Sequence, residues 1–338
     1  MKRNVVVGLL LSVVLAGSPA ASIDAQSAPN LKTVNIAMYG TTLGSWCVYA
    51  AQAQHYFENA GIHIGNTIFL SGDPAIVSSL ISGQADIATG GTASLIPDAN
   101  GQTDQIMVIG GVEGSPVSLI APNAITSPAQ LAGKIIALPA HNTSNEAIGT
   151  ALVDRYVGKG KWTPLYIGGA STGRLSAVSG GLASAAYIND PADFTDLTGM
   201  HTLTHFGADQ KLYGNGGVLT TRKWLRDNPD TAVRFMAAFA KGCNYIANTK
   251  NRAQTIDLLA KGGPISVQAA TDAYDYYVAG PFRGNTPPIN AELDVQAFVN
   301  SAQLLKDQGI ITNAAWDPHT VIDLSYLHKA LKSPAFLK

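Results

Sequence analysis

Gly169-Ala170-Ser171-Thr172-Gly173 reads G-x-S-x-G and lies between a strand-like run and a helix-like run. That is where a hydrolase places its nucleophilic serine, on a sharp turn that exposes the hydroxyl. Asp190 or Asp193, and then His201 or His205, follow in the chain order Ser, Asp, His. The match is only five residues long in a chain rich in Gly and Ser. A secreted serine hydrolase using Ser171 is therefore the alternative reading, and no catalytic residue is assigned. His201 and His205 are four apart, but their segment reads as a strand and no Cys is near, so no metal or other cofactor is expected.

A larger set of small, hydroxylic and amide residues ends one strand-like run after another. Tyr39, Thr41, Thr42, Gly72, Gly91 and Thr92 do so in the first third of the chain. His141, Asn142, Thr143, Ser144, Ser171, Thr172, Asn189 and Asp190 do so in the second. Ligands of open α/β sheets bind outside the carboxyl ends of the strands. Helix N-termini offer unpaired N–H groups and a favourable dipole to an anion there. Thr92, Thr143 and Thr172 are the expected N-termini for the anionic group of a small organic solute. Tyr39 and Trp46 are candidates to wall its flat or apolar part. Glu113 could accept a donor from it, and Asn215 completes the set. Arg174 is the nearest candidate for an anion clamp, with a solvated surface charge as its rival reading.

The elements that must position these residues alternate. Strands are expected at 34–38, 66–70, 85–88, 107–110 and 117–121, with helices at 44–60 and from Pro74 to Ser82. Asp73 is the expected N-cap of the second helix, and Gly90-Gly91-Thr92 opens another. The pattern restarts with strands at 134–138, 164–167 and 183–188. Helices stand at 143–157, where Thr143-x-x-Glu146 fits a capping box, and at 172–178. The two stretches superimpose at an offset of about 100 residues. Ser82-Gly83-Gln84-Ala85-Asp86-Ile87-Ala88 faces Gly180-Gly181-Leu182-Ala183-Ser184-Ala185-Ala186. The expected fold is α/β: two Rossmann-like lobes joined by a two-strand hinge, with a helical C-terminal extension after a last strand at 217–221. Glu113-Gly114-Ser115 and Tyr213 to Gly217 are the expected crossings between lobes. The lobes are 26–115 plus 217–338, and 116–216.

Composition limits the partners. Only 13% of the 338 residues are charged, against about 25% in an average soluble domain, and the net charge is -1. A nucleic-acid binder would need a basic face. Hydrophobic residues at 46% exclude disorder. Residues 1–25 read as a secretory signal peptide: Lys2 and Arg3, the apolar run Val5 to Ala16, then small residues up to Ala25. The mature chain is expected outside the cytoplasm, as a monomer. Cys47 and Cys243 are the only cysteines. An oxidising compartment permits their pairing, but two buried free thiols are the expectation.

Several runs together resemble a family. They are Asn59-Ala60-Gly61, Leu80-Ile81-Ser82-Gly83-Gln84-Ala85-Asp86-Ile87-Ala88, Ile125 to Lys134 (ITSPAQLAGK) and Trp224 to Asp230 (WLRDNPD). Over about residues 33–260 the chain resembles type 2 periplasmic solute-binding proteins of ABC importers. The nearest branch binds nitrate, sulfonates, taurine and thiamine precursors. The resemblance implies capture without chemistry and delivery to a permease at the inner membrane. A solute sensor that docks a receptor is the other binding-class alternative. Two departures stand out. Ser184 replaces the Asp that the family often carries after its second helix, and the loops lack an obvious Arg clamp.

Overall fold

The computed structural model describes residues 31–39, 43–70, 72–113, 117–169, 171–189, 197–205, 213–214, 216–262, 265–280 and 288–337. The signal-peptide segment lies outside the described residues. Among the described residues ten strands form two five-stranded sheets. The first has the order β2 (Ile62–Leu70), β1 (Lys32–Tyr39), β3 (Ile87–Gly91), β10 (Gly216–Thr221), β4 (Ile106–Glu113). The second has the order β7 (Thr163–Tyr166), β6 (Ile135–Leu138), β8 (Ala185–Asn189), β5 (Val117–Pro122), β9 (Met200–His205). In each sheet the strand that enters after a crossing runs antiparallel to both its neighbours: β10 in the first, β5 in the second. This is the periplasmic binding protein fold, with a helical C-terminal region.

The repeat seen in the sequence is a repeat of register. Ile36 pairs with Ile87 and Ala37 with Ala88; Ile136 pairs with Ala185 and Ala137 with Ala186. At the head of each pairing one backbone bond recurs, Asp86 N to Asn35 O and Ser184 N to Ile135 O. In the first sheet the Asp86 carboxylate also accepts from Asn35 N at 2.8 Å. Asp86 is therefore a sheet-organising residue, and Ser184 stands in its place in the second sheet.

The helices of the described residues that flank the sheets are α1 (Leu43–Ala53), α2 (Tyr56–Asn59), α3 (Asp73–Ile81), α4 (Ile96–Ala99), α5 (Ser144–Val157), α6 (Ser171–Ser179), α7 (Arg222–Asp227), α8 (Pro229–Ala247), α9 (Arg252–Gly262), α10 (Val267–Tyr277), α11 (Val295–Asp307), α12 (Ser325–Ala330) and α13 (Pro334–Leu337). The helix expected over 44–60 breaks after Ala53, because His55 takes a left-handed conformation at φ 55°. The helix expected at Thr92 is a 3₁₀ turn, Thr92–Leu95, before α4.

Alternation along β1 sends Val34, Ile36 and Met38 to one face, where Phe235, Met236 and Phe239 of α8 cover them. Ala37 faces the other side, with Ile76 and Leu80 of α3. The expectation of free thiols is wrong: Cys47 of α1 and Cys243 of α8 form a disulfide, both fully buried. Gly242 permits it, since a Cβ there would collide with the Cys47 carbonyl oxygen and bring the two helices apart.

The C-terminal helices do not serve the first sheet alone. Phe298 of α11 packs beneath that sheet, while Leu304 joins the core of the second. Leu305 and Ile311 form a small buried cluster with Ala93 and Ala147, one residue from each side. Gln308 Nε2 donates to Ala147 O of α5 at 3.1 Å.

Candidate functional site

The carboxyl ends of β1, β3 and β6 meet at a seam between the sheets, and a buried carboxylate sits at its centre. Asp73 is 6% exposed. It is not the N-cap that its neighbour Pro74 suggests. Gly72 takes that position at φ 94°, and Asp73 turns its side chain away from its own helix. Its Oδ1 accepts from Tyr39 Oη at 2.5 Å, Ser94 Oγ at 2.8 Å and Gly91 N at 3.0 Å. Gly91 N also donates to Tyr39 Oη at 3.2 Å. Burial pushes the Asp73 carboxyl above its usual range, against the pull of these hydrogen bonds. The phenol of Tyr39 is pushed well up, first by burial and then by Asp73 beside it.

The second sheet reaches this hub through one hydroxyl. Ser144, the first residue of α5, accepts from Ala93 N at 2.7 Å and donates to Asp73 Oδ2 at 3.5 Å. Thr92 is fully buried and donates to Gly214 O at 3.1 Å, on the return crossing. Gly214 N in turn donates to Ala297 O of α11 at 2.8 Å. Replacing Ser144 with Ala leaves a buried N–H of Ala93 without its acceptor, so we expect a loss of about 1–3 kcal/mol. Urea unfolding measures it; a loss under a few tenths would show that the seam bond carries no weight.

At the N-terminus of α5 the capping box is half formed. Thr143 Oγ1 accepts from Glu146 N at 3.1 Å. The Glu146 carboxylate leaves the cap, lies 3.7 Å from His141 Nδ1 and accepts from Thr150 Oγ1 at 3.3 Å. The His141 ring lies against Tyr166 in a tilted pair with centroids 4.8 Å apart. Two of the three expected anion sites thus already hold a carboxylate: Asp73 at Thr92, and Glu146 in the first turn of α5. The third helix, α6, begins at Ser171, with Thr172 exposed.

Tyr39, Gly72, Gly91, Thr92, Asn142 and Ser144 come together at the seam, with His141 and Thr143 flanking it. Trp46 does not: it is 2% exposed and packs with Ile246, Tyr274 and Tyr277 in the helical core. Glu113 and Asn189 end β4 and β8. Thr41, Thr42, Asp190 and Asn215 lie outside the described residues. Arg174 is neither clamp nor surface charge, being 2% exposed with its guanidinium bonded to backbone carbonyls. Ser171 Oγ accepts from Arg174 Nη2 at 3.0 Å. His205 Nδ1 lies 2.6 Å from Ser118 Oγ. The sequence reading missed Asp73 and Ser94 as site residues. The available signal was Asp73 itself, an acid next to strand-end glycines in a chain with few charges.

Asp73 also sets a pH dependence. Its folded pKa lies above the unfolded value of about 3.9, so protonation favours the fold. The contribution is fully present below that value and is lost as pH rises through the raised one. Stability of wild type relative to Asp73→Asn, read by urea titration at stepped pH, is expected to fall across that window. A difference that is flat or rises there contradicts the assignment.

The family model described as NMT1/THI5 like matches residues 44–253. The chain belongs to the NMT1/THI5-like family. A comparison with curated proteins finds no match. Solved structures similar to this one include the ligand-binding component of an ABC-type import system from Staphylococcus aureus, with zinc bound. It has 12% identity and a TM-score of 0.72, covering 89% of this chain and 100% of that one. The periplasmic aliphatic sulphonate binding protein SsuA from Escherichia coli has 19% identity and a TM-score of 0.66, covering 88% and 99%. The periplasmic nitrate-binding protein NrtA from Synechocystis has 12% identity and a TM-score of 0.71, covering 90% and 89%. At these identities the NMT1/THI5-like chain shares their fold.

Proposed function

We propose that this chain is the extracytoplasmic solute-binding component of an ABC importer, holding a small organic solute at the seam between the two sheets. The observation that carries this reading is the convergence of β1, β3 and α5 on one buried polar hub at the strand ends, where open α/β sheets bind ligands. The chain crosses between sheets before β5 and before β10, as a hinge requires, and closure on the solute would present both lobes to a permease. Membership of the NMT1/THI5-like family supports it, as do an ABC-type import component and periplasmic sulphonate- and nitrate-binding proteins among the structural neighbours. The hydroxyl partners of Ser171 and His205 favour binding over hydrolysis, since His205 faces Ser118.

A thermal-shift screen of the mature protein tests this, with cell fractionation alongside. A specific solute raises the melting temperature with RT ln(1 + [L]/Kd), and the protein leaves the cytoplasm with its N-terminus near residue 26. No shift with any solute, together with turnover of simple esters that Ser171→Ala abolishes, overturns the reading in favour of the hydrolase.

A further inference from the structure

Beside Asp73 the seam contains a cavity of about 350 Å³, at the small end of the range for small-molecule sites. Its walls are apolar: Val77 of α3, Ala93 and Ile96 of the turn after β3, and Ile310 after α11. Asp73 and Asn142 are its polar side chains, one from each side of the seam. Asn142 is held at φ 62°, in the left-handed region that Asn tolerates better than most residues.

The two oxygens of Asp73 are unequally satisfied. Oδ1 receives three donors at 2.5–3.0 Å. Among the described residues Oδ2 receives only Ser144 Oγ, at 3.5 Å, the outer limit of a hydrogen bond. An ionised carboxylate only accepts, and Oδ2 still has lone-pair capacity for a closer donor. Among the described residues the groups that face Asp73 are Tyr39, Gly91, Ser94 and Ser144, and none is a cation. A buried carboxyl group with no countercharge and a spare acceptor calls for a donor, best a positive one. An anion placed here meets like charge instead, which disfavours the sulfonate or carboxylate that the strand-end loops first suggest.

We propose that this cavity takes the amine-bearing, apolar end of the solute, with the ammonium on Asp73 Oδ2 and the hydrocarbon or aromatic body along Val77, Ile96 and Ile310. The assignment rests on the reading of the seam as the solute site. Calorimetric titration with three probes of one shape tests it: 2-phenylethylamine, 2-phenylethanol and phenylacetate. Wild type is expected to bind the amine at least tenfold more tightly than either of the others. Asp73→Asn is expected to lose at least tenfold for the amine and little for the alcohol. Because Asp73 organises the seam, a second variant is needed. Val77→Phe fills the cavity without touching the carboxylate and is expected to weaken amine and alcohol alike, in a protein of unchanged circular dichroism.

Equal or tighter binding of phenylacetate, no amine binding, or an amine affinity unmoved by both variants overturns the proposal. A solute of another class that shifts the melting temperature while the amine does not overturns this inference and leaves the importer reading standing. Amine binding by a protein that fractionates with the cytoplasm does the reverse.

Discussion

The Cys47→Ala/Cys243→Ala protein is expected to melt about 10 °C below wild type, an effect of about 5 kcal/mol on a chain of this size. The bridge spans 196 residues, and loop-closure entropy rises with the logarithm of that length. Reduction frees the loop between Cys47 and Cys243, which carries strands β2 to β10, from one constraint on the unfolded chain. The native geometry favours the bond: α1 and α8 approach closely at Gly242, so it closes over a contact that core packing already makes. Alanine is the right replacement, since a serine hydroxyl would be buried without a partner. The consequence reaches the site, because α1 follows Tyr39 after three residues, and Ser45 Oγ of α1 donates to Tyr39 O at 2.8 Å. Differential scanning calorimetry of the double variant, and of wild type under reductant, gives the number. A shift below about 2 °C in both would mean that the packing of α1 on α8 suffices alone.

Much of this architecture was legible because it rests on local periodicity. The strand pairs that share a register, Ile36 with Ile87 and Ile136 with Ala185, are the pairs that the sequence repeat aligns. Strand and helix positions follow from alternation and from Gly and Pro punctuation, which are properties of neighbouring residues. What the sequence did not show depends on distant residues. Asp73 before Pro74 looks like a helix cap, and only the approach of β3 and α5 makes it the hub of the seam. Trp46 after a strand end looks like a ligand wall until α8 and α10 close over it. Pairing of the cysteines depends on the contact of two helices far apart in the chain. The same holds for Glu146, whose carboxylate forsakes its cap for His141 and Thr150 once β7 brings Tyr166 alongside.

Arg174→Met is expected to destabilise the protein by about 3–5 kcal/mol, because it removes a buried guanidinium that donates to four acceptors. Arg174 Nε donates to Tyr187 O at 2.7 Å, Nη1 to Ile167 O at 3.1 Å and to Gly169 O at 3.4 Å, and Nη2 to Ser171 Oγ at 3.0 Å. One planar group thereby joins the middle of β8, the chain after β7 and the start of α6. Burial pulls the guanidinium down to about 10, still charged at neutral pH, and the carbonyl acceptors offset the lost hydration. Methionine fills much of the volume but removes the four donated bonds, and hydrogen bonds to a charged group are worth about 1.5–3 kcal/mol each. Arg174→Lys keeps the charge yet lacks the fork that spans several acceptors, so it is expected to recover only part of the loss. The pair of variants also separates two roles. A scaffold arginine lowers the melting temperature in both, while the folded fraction still binds solute. An anion clamp leaves the melting temperature of Arg174→Lys near wild type and abolishes binding, which would return the site to the anionic solute that Asp73 argues against.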